Sequence, residues 1–326
     1  MTAIVTRQLD AGLVLVVEPI ENVASTAITW LLPVGSASDP PEGYGCSTML
    51  AELIFRGAGG MTSREHSDAL DRLGVKRSSH VTTHHLMVTA TMLGKNFVEG
   101  MSLLAKMVRE PNLSDESVDP VRSLSLQSLD GLKDDPQHLA MLHLRERHLP
   151  APFNRHGYGR REDLERLTGD ELREWWKQRC GARGSILAVA GAVDPDHVAE
   201  NVSRLLAGWK GGQDEPRPAE PAVRGYQHFP QETSQVHLGI AFDAPRESHE
   251  HAIWERVAIT VLSGSTSGRL FTEVRQKRSL CYSVGASYRA DRDRGLVAMY
   301  AGTTPQRAQE TLDVCCGEVQ RLREGA

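Results

Sequence analysis

Two polar side chains near the C-terminal end of the sequence, Arg275 and Tyr282, are spaced so that they could act together. A guanidinium is always charged and carries five N–H donors, and a phenol adds one O–H donor. If one helix–strand corner holds both, they form a donor pair for a peptide carbonyl or an oxyanion. In the structural alternative, Arg275 neutralises a helix C-terminus and Tyr282 is a half-buried strand aromatic. Their spacing alone leaves both interpretations open.

The stretch Ser263–Tyr288 contains the elements that would position this pair. A Gly/Ser loop leads into a helical run, Arg269–Arg278, and an alternating run, Leu280–Tyr288, predicts a strand. Glu273 stands where it could form an i,i+4 salt bridge on the helix. The loop lacks the GK[ST] ending of a phosphate-binding loop, so nucleotide chemistry is not indicated.

The rest of the chain mixes helical and strand-like patterns without strict alternation. That mixture favours an α+β fold over a doubly wound one. The predicted strands include Ser25–Val34, Val75–Thr91, Ser185–Ala190, Val236–Phe242 and Leu296–Ala301, and the predicted helices include Cys46–Phe55, Arg64–Leu73, Asn96–Arg109, Gly169–Arg179, Pro195–Leu206, His251–Leu262 and Pro305–Arg323.

A segment rich in Gly, Pro and acidic residues, Gly211–Pro221, has the composition of a linker. It predicts an N-terminal domain over residues 1–210, a linker over 211–222 and a second domain over 223–326. The order of elements restarts after the linker, which indicates a duplicated unit. The second copy stops about halfway, so we expect the second domain to be incomplete.

Composition narrows the classes of protein that fit. The chain has 326 residues and a net charge of −5, which argues against a nucleic-acid partner. No apolar run is long enough for a membrane span, and the N-terminus lacks the pattern of a signal peptide. Five scattered cysteines without a CxxC pattern indicate free thiols and therefore a cytoplasmic protein.

The sequence resembles the insulinase/pitrilysin family of inverted-zinc-motif peptidases, which includes mitochondrial processing peptidase, and is most similar to its short bacterial members. The most specific likeness is Ser267–Ser283, which is similar to the family's second-domain signature S-x-RL-F-x-x-x-R followed by L-x-Y. Further likeness lies in Leu9–Leu13, Val34-Gly35-Ser36, Phe55-Arg56-Gly57, Asp134-Asp135-Pro136 and Gly157-Tyr158-Gly159. The resemblance implies two homologous sheet-plus-helices domains of the LuxS/processing-peptidase-like metallohydrolase type. It also implies that Arg275 and Tyr282 hold the substrate peptide and the tetrahedral intermediate, with Ser267 and Arg269 as substrate-binding residues.

The zinc-binding motif of the family, HxxEH, is degenerate in this chain. Counted back from Phe55-Arg56-Gly57, the positions of the two histidines and the catalytic glutamate hold Thr48, Glu52 and Ala51. Two His one turn apart would be zinc ligands and the Glu a general base. The further Glu ligand is expected near Gln127 or Ser128, in a stretch without a carboxylate. We therefore expect no metal and no cofactor on this chain.

Histidines elsewhere do not suggest a replacement zinc site. His143 and His148 are five apart, which on a helix turns them roughly 140° from each other. His80 and His84 lie in strand-like sequence, where a spacing of four places them roughly 13 Å apart. His84 and His85 are adjacent and would point to opposite faces of such a strand.

The leading hypothesis is a non-zinc subunit of a heteromeric zinc peptidase, inactive alone. A zinc-bearing homologous partner would bring the metal, and Arg275 and Tyr282 would act on the peptide substrate in trans. The alternative is a catalytically inert structural or scaffold subunit of the same fold. A third possibility is a remnant whose second domain is not stable.

Overall fold

The chain forms two compact units in the computed structural model, which describes residues 4–9, 12–212 and 216–325. The first unit comprises Met1–Asp130 and Pro150–Pro221, and the second comprises Gly131–Leu149 and Ala222–Ala326. Residues 213–215 of the predicted linker lie outside the described residues. The described residues of 211–221 form neither helix nor strand.

The first unit is built on a six-stranded sheet. Its strands are β1 (Val5–Gln8), β2 (Val14–Pro19), β3 (Ser25–Leu32), β6 (Lys76–Val81), β7 (Leu86–Leu93) and β8 (Ile186–Gly191), and a separate short hairpin is formed by β4 (Gly57–Ala58) and β5 (Met61–Thr62). The strand order in the large sheet is β1-β2-β8-β3-β7-β6. β2 and β8 run parallel, and the other neighbours are antiparallel.

The alternation that predicted the strands also builds the core. In β3, Thr26, Ile28, Trp30 and Leu32 are buried, and the residues between them are partly or fully exposed. Burying a large apolar side chain contributes about 1.5–3 kcal/mol, so the face that carries Trp30 and Leu32 determines which side of the sheet the helices cover. The mixed sheet-and-helix architecture confirms the predicted α+β class.

Ten α-helices lie in the described ranges. They are α1 (Cys46–Leu53), α2 (Ser63–Arg72), α3 (Phe97–Arg109), α4 (Asp115–Gly131), α5 (Pro136–His148), α6 (Arg161–Arg166), α7 (Gly169–Arg179), α8 (Pro195–Leu205), α9 (Ala252–Ser263) and α10 (Ala308–Arg323). Capping boxes begin two of them: Thr62 and Glu65 at α2, and Thr168 and Glu171 at α7. Each box satisfies backbone N–H groups that the first turn leaves without partners, which sets where the helix begins.

The continuous strand predicted over Val75–Thr91 is wrong. β6 and β7 form an antiparallel hairpin whose turn is residues 82–85. The Thr82 hydroxyl donates to the carbonyl of His85 (2.8 Å) and accepts from its backbone N–H (3.0 Å). The Thr82 side chain thus reinforces the backbone hydrogen bond from its own N–H to the carbonyl of His85 (2.8 Å), and the β-branched composition continues into the turn. Since His84 lies in this turn, the strand spacing expected for His80 and His84 does not apply.

The second unit contains a three-stranded antiparallel sheet. Its strands are β9 (Val236–Ala244), β10 (Cys281–Ala290) and β11 (Gly295–Thr303), in the order β10-β11-β9. One face of this sheet packs in a core that includes Leu262 of α9, Val274, Met299 of β11 and Cys315 of α10. This core holds the helix and the strand that the sequence predicts around Arg275 and Tyr282.

The helix α5 packs in the second unit, although the sequence division at the linker assigns it to the first domain. A Cβ atom added to Gly239 of β9 would lie 3.4 Å from Leu144 of α5, so glycine admits this close approach. His148, the last residue of α5, contacts Asp243 of β9 at 3.1 Å. Burial lowers the pKa of His148, and the charge of Arg224 lowers it further. A long-range contact of this kind has no signal in the local sequence.

None of the helices in the described part of the chain is both long and apolar enough to cross a membrane.

Candidate functional site

The helix predicted over Arg269–Arg278 is observed over residues 269–276, and most of it is a π-helix, Phe271–Gln276. Its wider turn appears in the hydrogen bond from the N–H of Lys277 to the carbonyl of Thr272, five residues back (2.9 Å). Ser279 then adopts a left-handed conformation, with φ of 51°, and its N–H donates to the carbonyl of Arg275 (3.0 Å). Single π-helical turns occur frequently at functional sites. Residues 269–283 are called the Arg/Tyr corner below.

A β-bulge at the start of β10 sets the direction of Tyr282. Cys281 pairs with Thr303 and Ser283 with Gly302, so Tyr282 is the extra residue between them. A bulge bends the strand and redirects the side chain of the inserted residue. As a result Tyr282 is 78% exposed, in contrast to the half-buried strand aromatic of the structural interpretation.

The guanidinium of Arg275 lies against two aromatic rings. Its central carbon is 4.9 Å from the ring centre of Phe271 and 5.2 Å from that of Tyr282. Among the residues that the structure describes, none accepts a hydrogen bond from this guanidinium, and none pairs with the hydroxyl of Tyr282. A cation–π contact uses the face of the aromatic ring and no hydrogen-bond acceptor, so the N–H donors of Arg275 remain available for a ligand. The structure thus brings the two predicted residues into contact.

The acidic residue nearest in sequence, Glu273, is engaged elsewhere. Its carboxylate contacts the ammonium of Lys277 (2.6 Å) and the guanidinium of Arg278 (2.7 Å), which lower the pKa of Glu273 to about 2. The predicted i,i+4 salt bridge is confirmed. Because Glu273 forms its ion pairs with Lys277 and Arg278, it is not the counter-ion of Arg275.

The two residues predicted to bind substrate, Ser267 and Arg269, have separate local contacts. The hydroxyls of Ser267 and Ser265 lie 2.7 Å apart in an exposed loop. The Nε of Arg269 donates to a carboxylate oxygen of Glu318 in α10 (3.0 Å), and the Glu318 side chain is 4% exposed. This contact, 49 residues away in sequence, had no signal in the local pattern.

Cys281 does not add a nucleophile to the corner. The residue is buried, and burial raises the pKa of its thiol, although the charge of Arg275 opposes the shift. A raised pKa keeps the sulfur protonated at neutral pH, and the thiolate is the reactive form. Cysteine chemistry is therefore not indicated here.

A second polar pair lies in the same sheet and had not been predicted. Nδ1 of His237 is 2.8 Å from the hydroxyl of Tyr300. His237 and Ser283 both pair with Gly302 in the strand register, from opposite sides. Burial lowers the pKa of His237, so its imidazole is neutral near pH 7 and can accept from the phenol.

The helix α1 carries Thr48, Ala51 and Glu52, the residues that the sequence comparison predicts at the positions of a zinc motif. The hydroxyl of Thr48 donates to the carbonyl of Gly157 (2.6 Å), the carbonyl of Ala51 accepts from Ser79 (3.1 Å), and Glu52 is exposed. A zinc site needs three or four nitrogen, sulfur or carboxylate ligands. These side chains do not supply such a set. Nowhere in ranges 4–9, 12–212 and 216–325 do three His, Cys, Asp or Glu side chains form a group suited to a metal.

A buried carboxylate, Asp39, stabilises the start of α1 and was not predicted. It accepts hydrogen bonds from the backbone N–H groups of Gly45 and Ser47, both at 2.8 Å. Burial raises the pKa of Asp39 to about 6, against the opposing effect of these hydrogen bonds and of the Arg155 charge. This capping contact replaces a local N-cap, since α1 follows a left-handed Gly45 without a side-chain cap.

Three further histidines, His84, His85 and His143, have ring contacts. In the second unit, the ring of His143 stacks on Phe229, with ring centres 4.0 Å apart. In the first unit, the ring of His84 lies 5.3 Å from that of Phe153 and 6.3 Å from that of His85. These contacts are consistent with packing roles.

The family models identify the fold as that of a peptidase-like protein. The family model described as insulinase (peptidase family M16) matches residues 14–157, and that of the peptidase M16 inactive domain matches residues 166–326. The chain belongs to this insulinase, or M16, peptidase family.

Relatives of the chain support the same family. An uncharacterized zinc protease of Streptomyces coelicolor is 26% identical over 328 residues, covering 97% of this chain and 71% of the relative. An uncharacterized zinc protease of Bacillus subtilis is 25% identical over 309 residues, covering 92% of this chain and 73% of the relative.

Solved structures share the fold. A peptidase M16 inactive domain from Pseudomonas fluorescens superposes with a TM-score of 0.88 at 19% identity, covering 99% of this chain and 80% of that one. A protease from Helicobacter pylori superposes with a TM-score of 0.85 at 17% identity, covering 100% of this chain and 81% of that one.

Proposed function

We propose that this chain is the non-zinc subunit of a heteromeric zinc peptidase of the M16 family. In this proposal a zinc-bearing homologous subunit holds the metal. This chain contributes Arg275 and Tyr282, which bind the substrate peptide and stabilise the negative charge that develops on its scissile carbonyl.

The observation that carries the proposal is the state of Arg275. The neighbouring Arg278, by contrast, donates to the carbonyl and the carboxylate of Glu273. The guanidinium of Arg275 instead contacts the rings of Phe271 and Tyr282 and has no acceptor among the described residues. Donors held in place before a ligand arrives are what stabilisation of an oxyanion requires, because they need not reorganise during the reaction.

The composition of α1 supports the part of the proposal in which another subunit holds the zinc. Thr48 and Ala51 offer no metal ligand, so the metal would have to come from another subunit. We accordingly propose that this chain binds no cofactor of its own and has peptide substrates, with neither nucleic acid nor membrane as a partner. The scattered free thiols suggest the cytoplasm as its compartment.

The test is a peptidase assay on this chain mixed with a family member that carries HxxEH. We expect no hydrolysis by this chain alone and no stoichiometric zinc in it. In the mixture, Arg275→Ala and Tyr282→Phe should each lower the rate by about a hundred- to a thousandfold, as loss of an oxyanion donor typically does.

Two matched controls are available in the second unit. Arg289→Ala removes an exposed arginine from β10, and Tyr226→Phe removes the hydroxyl of a tyrosine that is 90% exposed. Both should leave the rate of the mixture unchanged, and complex formation should be equal for all four variants. If the mixture that contains Arg275→Ala hydrolyses peptide at the same rate as the mixture that contains the wild-type chain, the proposal is refuted.

One observation favours the alternative of an inert scaffold subunit. The helix α9 exposes four large apolar side chains at helical spacing: Ile253, Trp254, Val257 and Val261. Exposed apolar surface of this kind is typical of contacts between subunits, whatever their chemistry. A complex that forms with the zinc-bearing subunit but hydrolyses peptide equally well with Arg275→Ala would favour the scaffold.

A further inference from the structure

We infer that Phe271 is a positioning residue for Arg275. Its ring centre lies 4.9 Å from the guanidinium carbon, closer than the ring of Tyr282 at 5.2 Å. Phe271 is partly buried, whereas Tyr282 is 78% exposed. Phe271 is thus the better-fixed of the two rings that contact the guanidinium.

The backbone explains why Phe271 can hold this position. Leu270, which precedes it, and Val274, three residues after it, are fully buried, and their packing fixes which face of the helix is turned to the core. Phe271 and Arg275 are four residues apart, which in the π-helical turn leaves them on the same side. The Phe271 ring therefore lies beside the Arg275 side chain, within contact distance of its guanidinium.

The chemical consequence follows from how a guanidinium binds. A carboxylate partner would occupy the in-plane N–H groups and neutralise the charge. An aromatic ring attracts the cation through its face and leaves these N–H groups available. Phe271 would therefore orient Arg275 without competing with a peptide carbonyl or an oxyanion. This role rests on the proposed function of Arg275.

The first test measures the contact itself in the full chain, without any partner. The guanidinium N–H resonances of Arg275, assigned by their loss in Arg275→Lys, should show a ring-current shift. Phe271→Leu keeps an apolar side chain but removes the π face, so it should move these resonances part of the way towards those of a free arginine. Phe271→Tyr should retain the shift, and Phe242→Leu in β9 is the matched control. Unchanged resonances in Phe271→Leu would overturn the inference.

The second test uses the peptidase mixture described above. Phe271→Leu should lower kcat/KM by a few-fold to about thirtyfold, the loss expected when a cation–π contact is removed. Phe271→Tyr should restore it to within about twofold of wild type. A structural role alone would lower the amount of folded chain and leave the resonances of Arg275 in the folded fraction unmoved.

The two proposals fail in different ways. If Arg275→Ala abolishes hydrolysis but Phe271→Leu matches wild type, the positioning role of Phe271 is overturned and the proposed function stands. If Arg275→Ala has no effect on hydrolysis, the proposed function fails together with the positioning role, whatever the resonances show.

Discussion

The guanidinium carbon of Arg275 lies 5.2 Å from the ring centre of Tyr282, although one residue belongs to a helix and the other to a strand. Three local features produce this contact. The helix ends in a π-helical turn, Ser279 takes a left-handed conformation, and Tyr282 occupies a β-bulge. Each feature is a departure from regular geometry, and departures of this kind concentrate at functional sites.

We expect Arg275 and Tyr282 to be energetically coupled. A double-mutant cycle with Arg275→Met and Tyr282→Leu, read by urea unfolding, should give a coupling energy of about 0.5–1 kcal/mol, because the cation–π contact is solvent-accessible. The control cycle combines Arg289→Met with Tyr282→Leu. In that cycle the changes in unfolding free energy of the two single variants should add within about 0.5 kcal/mol. Additivity in both cycles would contradict the observed contact.

The ion pair of Arg269 with Glu318 should contribute mainly to stability. Arg269→Ala would leave the buried Glu318 carboxylate with Arg321 as its remaining cation, at 2.8 Å. Removing one partner of a buried pair costs about 3–5 kcal/mol, and the second cation should hold the loss near the lower limit. The measurement is urea unfolding of the variant and the wild type.

Arg321→Ala is the matched control for this pair, since its side chain is 52% exposed. An exposed ion pair contributes about 0–1 kcal/mol, so this variant should be nearly as stable as wild type. If Arg269→Ala keeps full stability and instead weakens peptide binding, the sequence prediction of a substrate-binding Arg269 would be favoured.

Ser279→Gly should stabilise the second unit. A left-handed conformation costs an L-residue roughly 1–2 kcal/mol, and glycine adopts it freely but loses more entropy on folding. The net gain should be about 0.5–1 kcal/mol, measured as a rise in the urea midpoint. Ser287, in the middle of β10, is not in a left-handed conformation. Ser287→Gly therefore relieves no strain and should lower the free energy of unfolding by about 0.5–1 kcal/mol. A loss of stability in both variants would show that Ser279 is not strained.

Asp39 should make stability fall as the pH rises from about 4 to about 6. Its pKa is about 6 in the folded chain and 3.8 as its ordinary value, so in this window the folded state binds more protons than the unfolded state. The contribution is largest below pH 4 and is lost by pH 7, and two pKa units correspond to about 3 kcal/mol. The measurement is urea unfolding at several pH values.

Asp39→Asn should remove this component of the pH dependence. The difference in unfolding free energy between variant and wild type should therefore change across pH 4–6 and be constant above pH 7. Glu52→Gln, an exposed change on α1, serves as the control. A constant difference over the whole range for Asp39→Asn would show that the carboxylate keeps its ordinary pKa.

Local sequence patterns determined most of the secondary structure. The helix predicted at Gly169–Arg179 is observed at those bounds, because Thr168 and Glu171 form a capping box that specifies its start. The expectation that Thr48 and Glu52 stand where a zinc motif would have histidines also comes from the sequence alone. Apolar spacing and caps act over a few residues, which is why they can be read without the fold.

The tertiary structure decided what these elements contact. It placed α5 on β9 through Leu144 and Gly239, and it paired Arg269 with Glu318. It also turned the predicted strand into a hairpin at residues 82–85. The sequence brought Arg275 and Tyr282 to notice by residue type and spacing, but the ring of Phe271 and the unoccupied donors became visible only in the folded chain. Contacts between residues far apart in sequence depend on packing that short-range patterns do not record, and at this corner the packing departs from the regular geometry that those patterns assume.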